Sequence, residues 1–533
     1  MINIRRFYFS KVLLWGIVCL GMILLLAQYL FNRSLWHDEA SLALNILERS
    51  PIELLQPLDD NQAAPPGFLL TGKVLTQIFG GSEYALRVFP LLCGMISLVL
   101  FLHLSRHVLP PAEVPMALGL FAISGKFIYY ASEVKQYASD VTVALLLYTI
   151  ALHTLVKHPT SFRIGLFGGI GACAFWFSYP GAFVFISIAI VMAIDWWKKK
   201  AWKDLGALAA ACGIWLISFG ALYSFFLRNT AGNEKLQEYW IWADAFMPLP
   251  PSSVADLMWF VRTFLGTIAH ALEFSRPFTA VLSSLKEALT GLFSSSDIPA
   301  YELMQTLFSG IAWIALYAIA TATLITGCFS IYSRKPIIFW FLVGPIGLTL
   351  LVSGMRAYPF ADRLTLFIMP ALFIFWGAGA VRVWENTRKM SPFIGFALIG
   401  VLWINPVSFH FIYPRTRIET RPVVQYMQQH RQEGDRVYVY YASLRVFGYY
   451  SRLYGFHEDP YIAGTVSTDQ YKNYIEDVRQ LRGHKRVWLI FSDAYGEEAL
   501  FLYHLNQIGT QLDSFQRVGA SVYLYELAPV NGL

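Results

Sequence analysis

Two adjacent carboxylates, Asp38 and Glu39, follow the first long apolar run of the chain, residues 11–31. Ionised groups close to hydrocarbon are costly and usually serve a function. A carboxylate held at a helix N-terminus and at the water boundary could act as a general base. The structural alternative is that Asp38 caps a surface helix, while Glu39 favours the positive N-terminal end of that helix.

A second candidate segment, Tyr129–Tyr137, has the sequence YYASEVKQY. On a helix, Tyr130, Glu133 and Tyr137 would share one face at positions i, i+3 and i+7, and Lys135 would point elsewhere. A carboxylate flanked by two phenols suits the binding of a polyhydroxyl ligand. The alternative is a solvated helix end on which the long side chain of Lys135 reaches for water.

A third candidate, Arg363, ends the short polar segment 356–363. Its guanidinium could bind a phosphate through two hydrogen bonds. It could equally bind lipid headgroups or the neighbouring Asp362. Histidines outside these candidate segments, such as His103, His107 and His270, are interpreted as structural. The five cysteines lie inside apolar runs and are also interpreted as structural.

The composition indicates whether these residues belong to a soluble protein or to a protein of the lipid bilayer. The 533 residues are 56% hydrophobic and 14% charged, against roughly 45–50% apolar and 25% charged residues in soluble domains. The mean hydropathy is +0.48. A water-soluble globule is thereby excluded and a bilayer protein is predicted. The formal net charge of +6 does not indicate a nucleic-acid partner.

Apolar runs of suitable length predict about eleven transmembrane helices. They lie near 11–31, 83–105, 113–129, 138–157, 162–178, 181–197, 204–226, 306–329, 337–354, 364–383 and 393–412. With a cytoplasmic N-terminus, the inside loops carry most of the basic residues and the short outside loops carry few. The basic residues in the short outside loops are Lys126, Lys135, Arg356 and Arg363.

The outside segments 32–82 and 228–305 and the tail are long enough to hold a site; 228–305 contains no motif. The chain becomes mixed and polar at residues 413–415. Short runs at Val437–Tyr441, Val487–Phe491 and Ser521–Tyr525 predict strands between helix-like stretches. We therefore predict a transmembrane catalytic domain, 1–412, and an extracytoplasmic α/β domain, 413–533.

In order and spacing, these features resemble the GT-C glycosyltransferases of the protein mannosyltransferase and bacterial aminoarabinose transferase type. The resemblance covers roughly residues 11–200 by motif and the rest by topology. Its features are the Asp38-Glu39 pair, the Pro65-Pro66 turn, the segment 82–87 (SEYALR) and Tyr129–Tyr137. The chain departs from the family at Ala63 and Ala64, where many relatives have a charged residue or histidine, and at 135–136, where Lys-Gln replaces Arg-Met.

The resemblance implies a polytopic α-helical GT-C fold and an inverting transfer of a sugar from a polyprenyl-phosphate-linked donor to an acceptor hydroxyl. Asp38 would be the general base and Glu39 its support, while Glu133 would position hydroxyl groups. Lys135 and Arg363 would bind the donor phosphate, and the substrate-binding phenols are Tyr130 and Tyr137.

The expected partners are the lipid-linked donor, membrane lipids and a lipid, glycan or protein acceptor. A divalent cation is left open, and the metal ligands are unknown. The expected location is the plasma (inner) membrane, with the active site and the C-terminal domain on the periplasmic side. The alternatives are an O-antigen ligase or polymerase, and a transporter or flippase of a lipid-linked sugar.

Overall fold

The computed structural model describes residues 2–156, 159–228, 234–293, 300–389, 391–412, 416–465, 470–494 and 496–528. The first helices are α1 Ile2–Phe31, α2 His37–Glu48, α3 Pro66–Phe79, α4 Glu83–Val108, α5 Val114–Ala122, α6 Gly125–Tyr130, α7 Tyr137–Val156, α8 Ser161–Ala174, α9 Gly181–Lys198 and α10 Trp202–Leu222. They are followed by α11 Glu234–Trp242, α12 Val254–Ala271, α13 Phe278–Phe293, α14 Ala300–Arg334, α15 Pro336–Gly354, α16 Met369–Thr387 and α17 Pro392–Ile412.

The C-terminal part alternates helices and strands. Its elements are α18 Thr420–His430, β1 Arg436–Val439, α19 Leu444–Leu453, β2 Ile462–Ala463, α20 Gln470–Leu481, β3 Arg486–Ser492, α21 Glu497–Leu505, β4 Gly509–Arg517 and β5 Ala520–Leu527.

Within the described residues, eight helical segments are long and apolar enough to cross a membrane. They are Lys11–Phe31, Glu83–Val108, Gly181–Lys198, Trp202–Phe226, Met304–Arg334, Pro336–Gly354, Asp362–Thr387 and Pro392–Phe411. The chain is thus a polytopic α-helical membrane protein with a small C-terminal sheet, as predicted.

Three consecutive predicted spans, between 113 and 178, differ from these eight. The first is broken: α5 ends at Ala122, and the hydroxyl of Ser124 accepts a hydrogen bond from the Phe127 amide and starts the six-residue α6. The third corresponds to α8, which has only 14 residues. The middle one, α7, has 20 residues but is not among the eight. At Ser124, a polar capping residue inside an apolar run therefore interrupts a helix that hydropathy alone would continue.

The chain folds into two compact units. The first contains residues 1–29, 64–68 and 89–413, and the second contains 30–63, 69–88 and 414–533. The predicted boundary between domains 1–412 and 413–533 falls at residues 413–415, which lie outside the described residues. That division stays a prediction.

Close helix packing holds the first unit together. A Cβ atom at Gly379 of α16 would lie 1.9 Å from the Thr323 carbonyl oxygen of α14, and one at Gly327 would lie 1.8 Å from the Phe375 carbonyl oxygen. Only glycine permits this backbone approach, which is typical of membrane helix pairs. The crossing buries α16 and so fixes the segment that precedes it, Asp362–Ile368.

The second unit contains a five-stranded mixed sheet in the order β2-β1-β3-β5-β4. Strand β1 is parallel to both β2 and β3, whereas β5 is antiparallel to β3 and β4. The central β3 is buried along almost its whole length, as its continuous apolar sequence requires. The three predicted strands are confirmed as β1, β3 and β5.

Candidate functional site

Asp38 lies in the first turn of α2, in the second unit. The helix begins at His37 with Trp36 as the N-cap residue, so Asp38 occupies the second helical position and not the cap. Its side chain is partly exposed, and the Gln62 amide nitrogen lies 3.4 Å from its Oδ1. A carboxylate at this position is favoured by the unsatisfied amides of the first turn.

Glu39, the next residue, is 0% exposed. The Arg33 guanidinium donates to its Oε2 at 2.5 Å, and Arg87 Nη2 lies 3.0 and 3.1 Å from its two carboxylate oxygens. Both arginines are also buried, at 1% side-chain exposure. Glu39 is therefore a buried, doubly paired anion that fixes the start of α2, whereas Asp38 is only partly buried.

Arg87 and Glu83 belong to the SEYALR segment at the start of α4, and each holds a partner within the second unit. Glu83 accepts hydrogen bonds from Arg421 at 3.1 Å and from the Tyr450 hydroxyl at 3.0 Å. The same hydroxyl lies 2.8 Å from the backbone nitrogen of Leu35, just before α2. This segment thereby anchors the loop that precedes α2 and Asp38, a role that its sequence did not reveal.

The segment between α6 and α7, in the first unit, is not helical. Residues 131–136 form turns, with the Lys135 amide donating to the Glu133 carbonyl at 2.7 Å. The predicted helical face of Tyr130, Glu133 and Tyr137 is therefore wrong, because α6 ends at Tyr130 and α7 begins at Tyr137. Lys135 does not reach for water either, since it is 5% exposed and Glu133 is 1% exposed.

The two phenols nevertheless meet in space, together with Arg363. The rings of Tyr130 and Tyr137 lie 5.3 Å apart at 73°, and the Arg363 guanidinium carbon lies 5.8 Å from the centre of the Tyr137 ring. Burial raises the pKa of Tyr130, the Glu133 carboxylate raises it further, and Arg363 opposes this rise. Stacking on an aromatic face orients the planar guanidinium.

A cavity of about 740 Å³ in the first unit adjoins this cluster. Asp362, next to Arg363, lines it, as does His270, whose ring lies 6.5 Å from that of Tyr130. Its other polar lining residues include Lys126, Asp244, Arg262, Thr263, Thr267, Glu273 and Ser275. The volume is in the range of cavities that hold small ligands.

Glu273 is the most perturbed acid of this cavity. Its Oε1 accepts the backbone amide of Lys126 at 2.8 Å, at the start of α6, while its Oε2 has no hydrogen-bond partner within the described residues. Burial raises the pKa of this carboxyl to about 8. A Cβ at Gly125 would lie 2.9 Å from Oε1, so glycine is needed for the approach.

His270 lies one helical turn before Glu273 and is also buried. Burial lowers the pKa of its imidazole to about 3, and the Lys126 ammonium lowers it further. Sequence reasoning treated His270 as structural and found no motif in 228–305. The available signal was the pair of titratable residues, three apart, inside the apolar stretch AHALEF.

The predicted residues therefore fall into two groups. Asp38 and Glu39 lie together in the second unit, and Tyr130, Glu133, Tyr137 and Arg363 cluster in the first. Lys135 is buried in the turn beside Glu133.

No family model matches the chain, and no curated protein matches it. Among solved structures, it is similar to ArnT from Cupriavidus metallidurans bound to undecaprenyl phosphate, at 13% identity over 95% of this chain and 97% of that one, with a TM-score of 0.43.

It is also similar to the oligosaccharyltransferase of Archaeoglobus fulgidus in complex with Zn and sulfate, at 11% identity over 97% and 74% of the two chains, with a TM-score of 0.49. The AglB form of that enzyme with an inhibitory peptide and a dolichol-phosphate gives 12% identity over 98% and 76%, with a TM-score of 0.45. At such identities the likeness concerns the course of the chain, and the function is inferred from the residues themselves.

Proposed function

We propose that this protein is an inverting membrane glycosyltransferase. It transfers one sugar from a polyprenyl-phosphate-linked donor to a hydroxyl group of a lipid, glycan or protein acceptor. The observation that carries the proposal is the contrast between two adjacent carboxylates. Glu39 is buried and paired with two arginines, whereas Asp38 is partly exposed on the helix start that Glu39 fixes.

Asp38 acts as the general base. An accessible carboxylate next to a residue locked by two ion pairs has the fixed position that proton abstraction requires. Glu39 has no proton-transfer role, because both of its oxygens are engaged. It is a positioning residue, and so is Arg87.

Arg363 binds the donor phosphate. It is partly exposed and is oriented by the Tyr137 ring, so its planar fork can contact two phosphate oxygens. Lys135, at 5% exposure, is less accessible, and the phosphate is therefore assigned chiefly to Arg363. Tyr130, Glu133 and Tyr137 offer hydroxyl and carboxylate groups to the sugar.

The reaction is a single displacement. Asp38 takes the proton of the acceptor hydroxyl while that oxygen forms a bond to the anomeric carbon. The bond from this carbon to the phosphate oxygen breaks, and polyprenyl phosphate leaves with the electron pair. One displacement inverts the anomeric centre. The leaving group needs no proton, since a cation stabilises its charge.

Within the described residues, the group of three His, Cys, Asp or Glu side chains whose ligand atoms converge is formed by histidines and includes neither Asp38 nor Glu133. Asp38 and Glu133 are therefore not part of a preformed three-ligand cluster within the described residues.

The proposed location is the plasma (inner) membrane of a bacterium, with transfer on the periplasmic side. The support is the distribution of basic residues, which are abundant in the loops assigned to the cytoplasm and sparse in the others.

The test compares surface glycans and glycolipids, by mass spectrometry, in a strain lacking the gene and complemented with wild type, Asp38→Asn or Glu48→Gln. Glu48 ends the same helix, is exposed and pairs with Arg452, so it is the matched control. We expect Asp38→Asn to lose one sugar from a defined molecule and to accumulate the lipid-linked donor, while Glu48→Gln matches wild type.

Removal of the base should lower turnover by about 10²–10⁴-fold. Unchanged glycans in Asp38→Asn, at wild-type protein level in the membrane, would exclude Asp38 as the base.

A further inference from the structure

Three histidines meet between α4 and α7, in the first unit. His103 and His107 lie one turn apart on α4, and His153 lies near the end of α7. Their ring centres are 4.4, 5.0 and 5.5 Å apart. One ligand nitrogen of each lies within 4.8 Å of those of the other two. In the sequence, His103 and His107 were interpreted as structural. Their proximity to His153, which lies on α7, is visible only in the fold.

The hydrogen bonds of two rings fix their tautomers. His107 Nδ1 lies 2.8 Å from the His103 carbonyl oxygen, and His153 Nδ1 lies 2.8 Å from the Thr149 carbonyl oxygen. A carbonyl oxygen can only accept, so each Nδ1 carries the proton. In the neutral ring, Nε2 then has a free lone pair. Donation from the second ring nitrogen to a backbone carbonyl is the usual arrangement of metal-binding histidines.

The third ring supplies an independent observation. His103 Nε2 is buried and has no hydrogen-bond partner within the described residues. A buried polar atom without a partner is costly, and a bound ion is one explanation for it. The neighbouring Arg106 is exposed, so water screens its charge. Lys335 is the other nearby cation, and its ammonium group is engaged by the carbonyl oxygens of His107 and Val108.

We propose that His103, His107 and His153 bind a divalent transition-metal ion of the zinc class. Three imidazoles with an open fourth position for water suit Zn²⁺. At metal–nitrogen distances of about 2.0–2.1 Å, tetrahedral ligands lie about 3.3 Å apart. Small side-chain rotations would therefore bring the three nitrogens into coordination distance. The ion would link the ends of α4 and α7.

This site is distinct from the proposed transfer site. His153 follows Tyr137 by 16 residues on α7, which at 1.5 Å per residue is about 24 Å along the helix axis. The inference therefore does not rest on the proposed function, and it is tested without an activity assay.

The full-length protein, carrying an affinity tag without histidine, is purified in detergent with a chelator and dialysed against about 10 μM Zn²⁺. Bound metal is measured by mass spectrometry. We expect about one Zn²⁺ per wild-type chain and at least tenfold weaker binding by His107→Gln and His153→Gln. The control is His457→Gln, an exposed histidine of the second unit, which should bind like wild type.

Zinc should also raise the Tm of wild type and of His457→Gln, but not that of the two cluster variants. Wild-type protein that retains no zinc, or cluster variants that bind it as wild type does, would overturn the proposal. Should a variant fail to fold, Co²⁺ added to wild type decides: strong visible bands of four-coordinate cobalt support the site, and their absence overturns it.

Discussion

Arg87 Nη2 contacts both carboxylate oxygens of Glu39, at 3.0 and 3.1 Å, and joins the start of α4 to the first turn of α2. Arg33 holds the same carboxylate from the preceding loop at 2.5 Å. The three side chains are almost completely buried. Because ion pairs of this kind are costly to break from one side, the arrangement is rigid. Because Asp38 is adjacent to Glu39 in α2, its backbone position is fixed as well.

Glu39→Gln should destabilise the protein by about 3–5 kcal/mol, because it leaves two buried guanidinium groups without their counter-charge. The Tm in detergent, followed by tryptophan fluorescence, measures the effect. Glu48→Gln removes an exposed pair with Arg452 on the same helix and should cost less than about 1 kcal/mol. Equal Tm values for the two variants would show that the buried pairs do not fix α2.

Arg363→Ala should raise the KM for the lipid-linked donor about 10- to 100-fold, since a hydrogen bond to a charged group contributes about 1.5–3 kcal/mol. The acceptor KM should change little. Arg363→Lys keeps the charge but loses the fork and should be intermediate. Arg356→Ala, an exposed arginine in the same loop, is the control. An unchanged donor KM in Arg363→Ala would indicate that Arg363 contacts only bulk lipid.

Glu273 should make stability depend on pH. Burial raises the pKa of this carboxyl from 4.5 to about 8, so between these values the folded protein binds more protons than the unfolded chain. The contribution of Glu273 to stability is then most favourable below about pH 4.5 and becomes less favourable as the pH rises, with its full cost present above about pH 8.

Glu273→Gln cannot ionise and keeps an acceptor for the Lys126 amide. Its Tm should exceed that of wild type at pH 9, by a stability difference of up to about 5 kcal/mol, and approach wild type at pH 5. Glu287→Gln, at an exposed site on α13, should show no such trend. A difference independent of pH would mean that Glu273 is already ionised.

Gly379→Ala should destabilise the pair of α14 and α16 by about 1–3 kcal/mol, because the added carbon would lie 1.9 Å from the Thr323 carbonyl oxygen. The same substitution at Gly400 of α17 meets nothing within 4 Å. It should raise stability by up to about 1 kcal/mol through helix propensity. Thermal unfolding of both variants measures this contrast, and a stabilised Gly379→Ala would contradict the close crossing.

The pattern of apolar residues predicted those helices and strands that are buried, or that face lipid, along their whole length. Strand β3 is buried on both faces, and its unbroken run of apolar residues gave its position to within a residue at each end. Strand β4, GTQLDSFQR, lies at the sheet edge and is mostly exposed. Its polar sequence carried no comparable signal, and it was missed.

Which of the proposed site residues lie close together could be predicted only in part from the sequence. Spacing placed Tyr130 and Tyr137 together for the wrong reason, since the turn at 131–136, and not a helix, brings the rings within 5.3 Å. Glu273 was visible in the sequence only as a titratable residue in an apolar stretch, and its hydrogen bond could not be predicted because the partner, the Lys126 amide, lies 147 positions away in the chain. Contacts between distant segments decide burial, and local patterns do not encode them.

The second unit contains residues from two distant parts of the sequence, so these parts are synthesised at different times. Glu83 is paired with Arg421, which follows it by 338 positions. At about 5–20 residues per second during synthesis, Arg421 is added to the chain roughly 15–70 s after Glu83. The start of α2, which carries Asp38, thus acquires its final support only after α18 and α19 have been synthesised. A chain interrupted before α18 would contain the proposed base and its arginine clamp, yet lack the contacts with Arg421 and Tyr450 that anchor them.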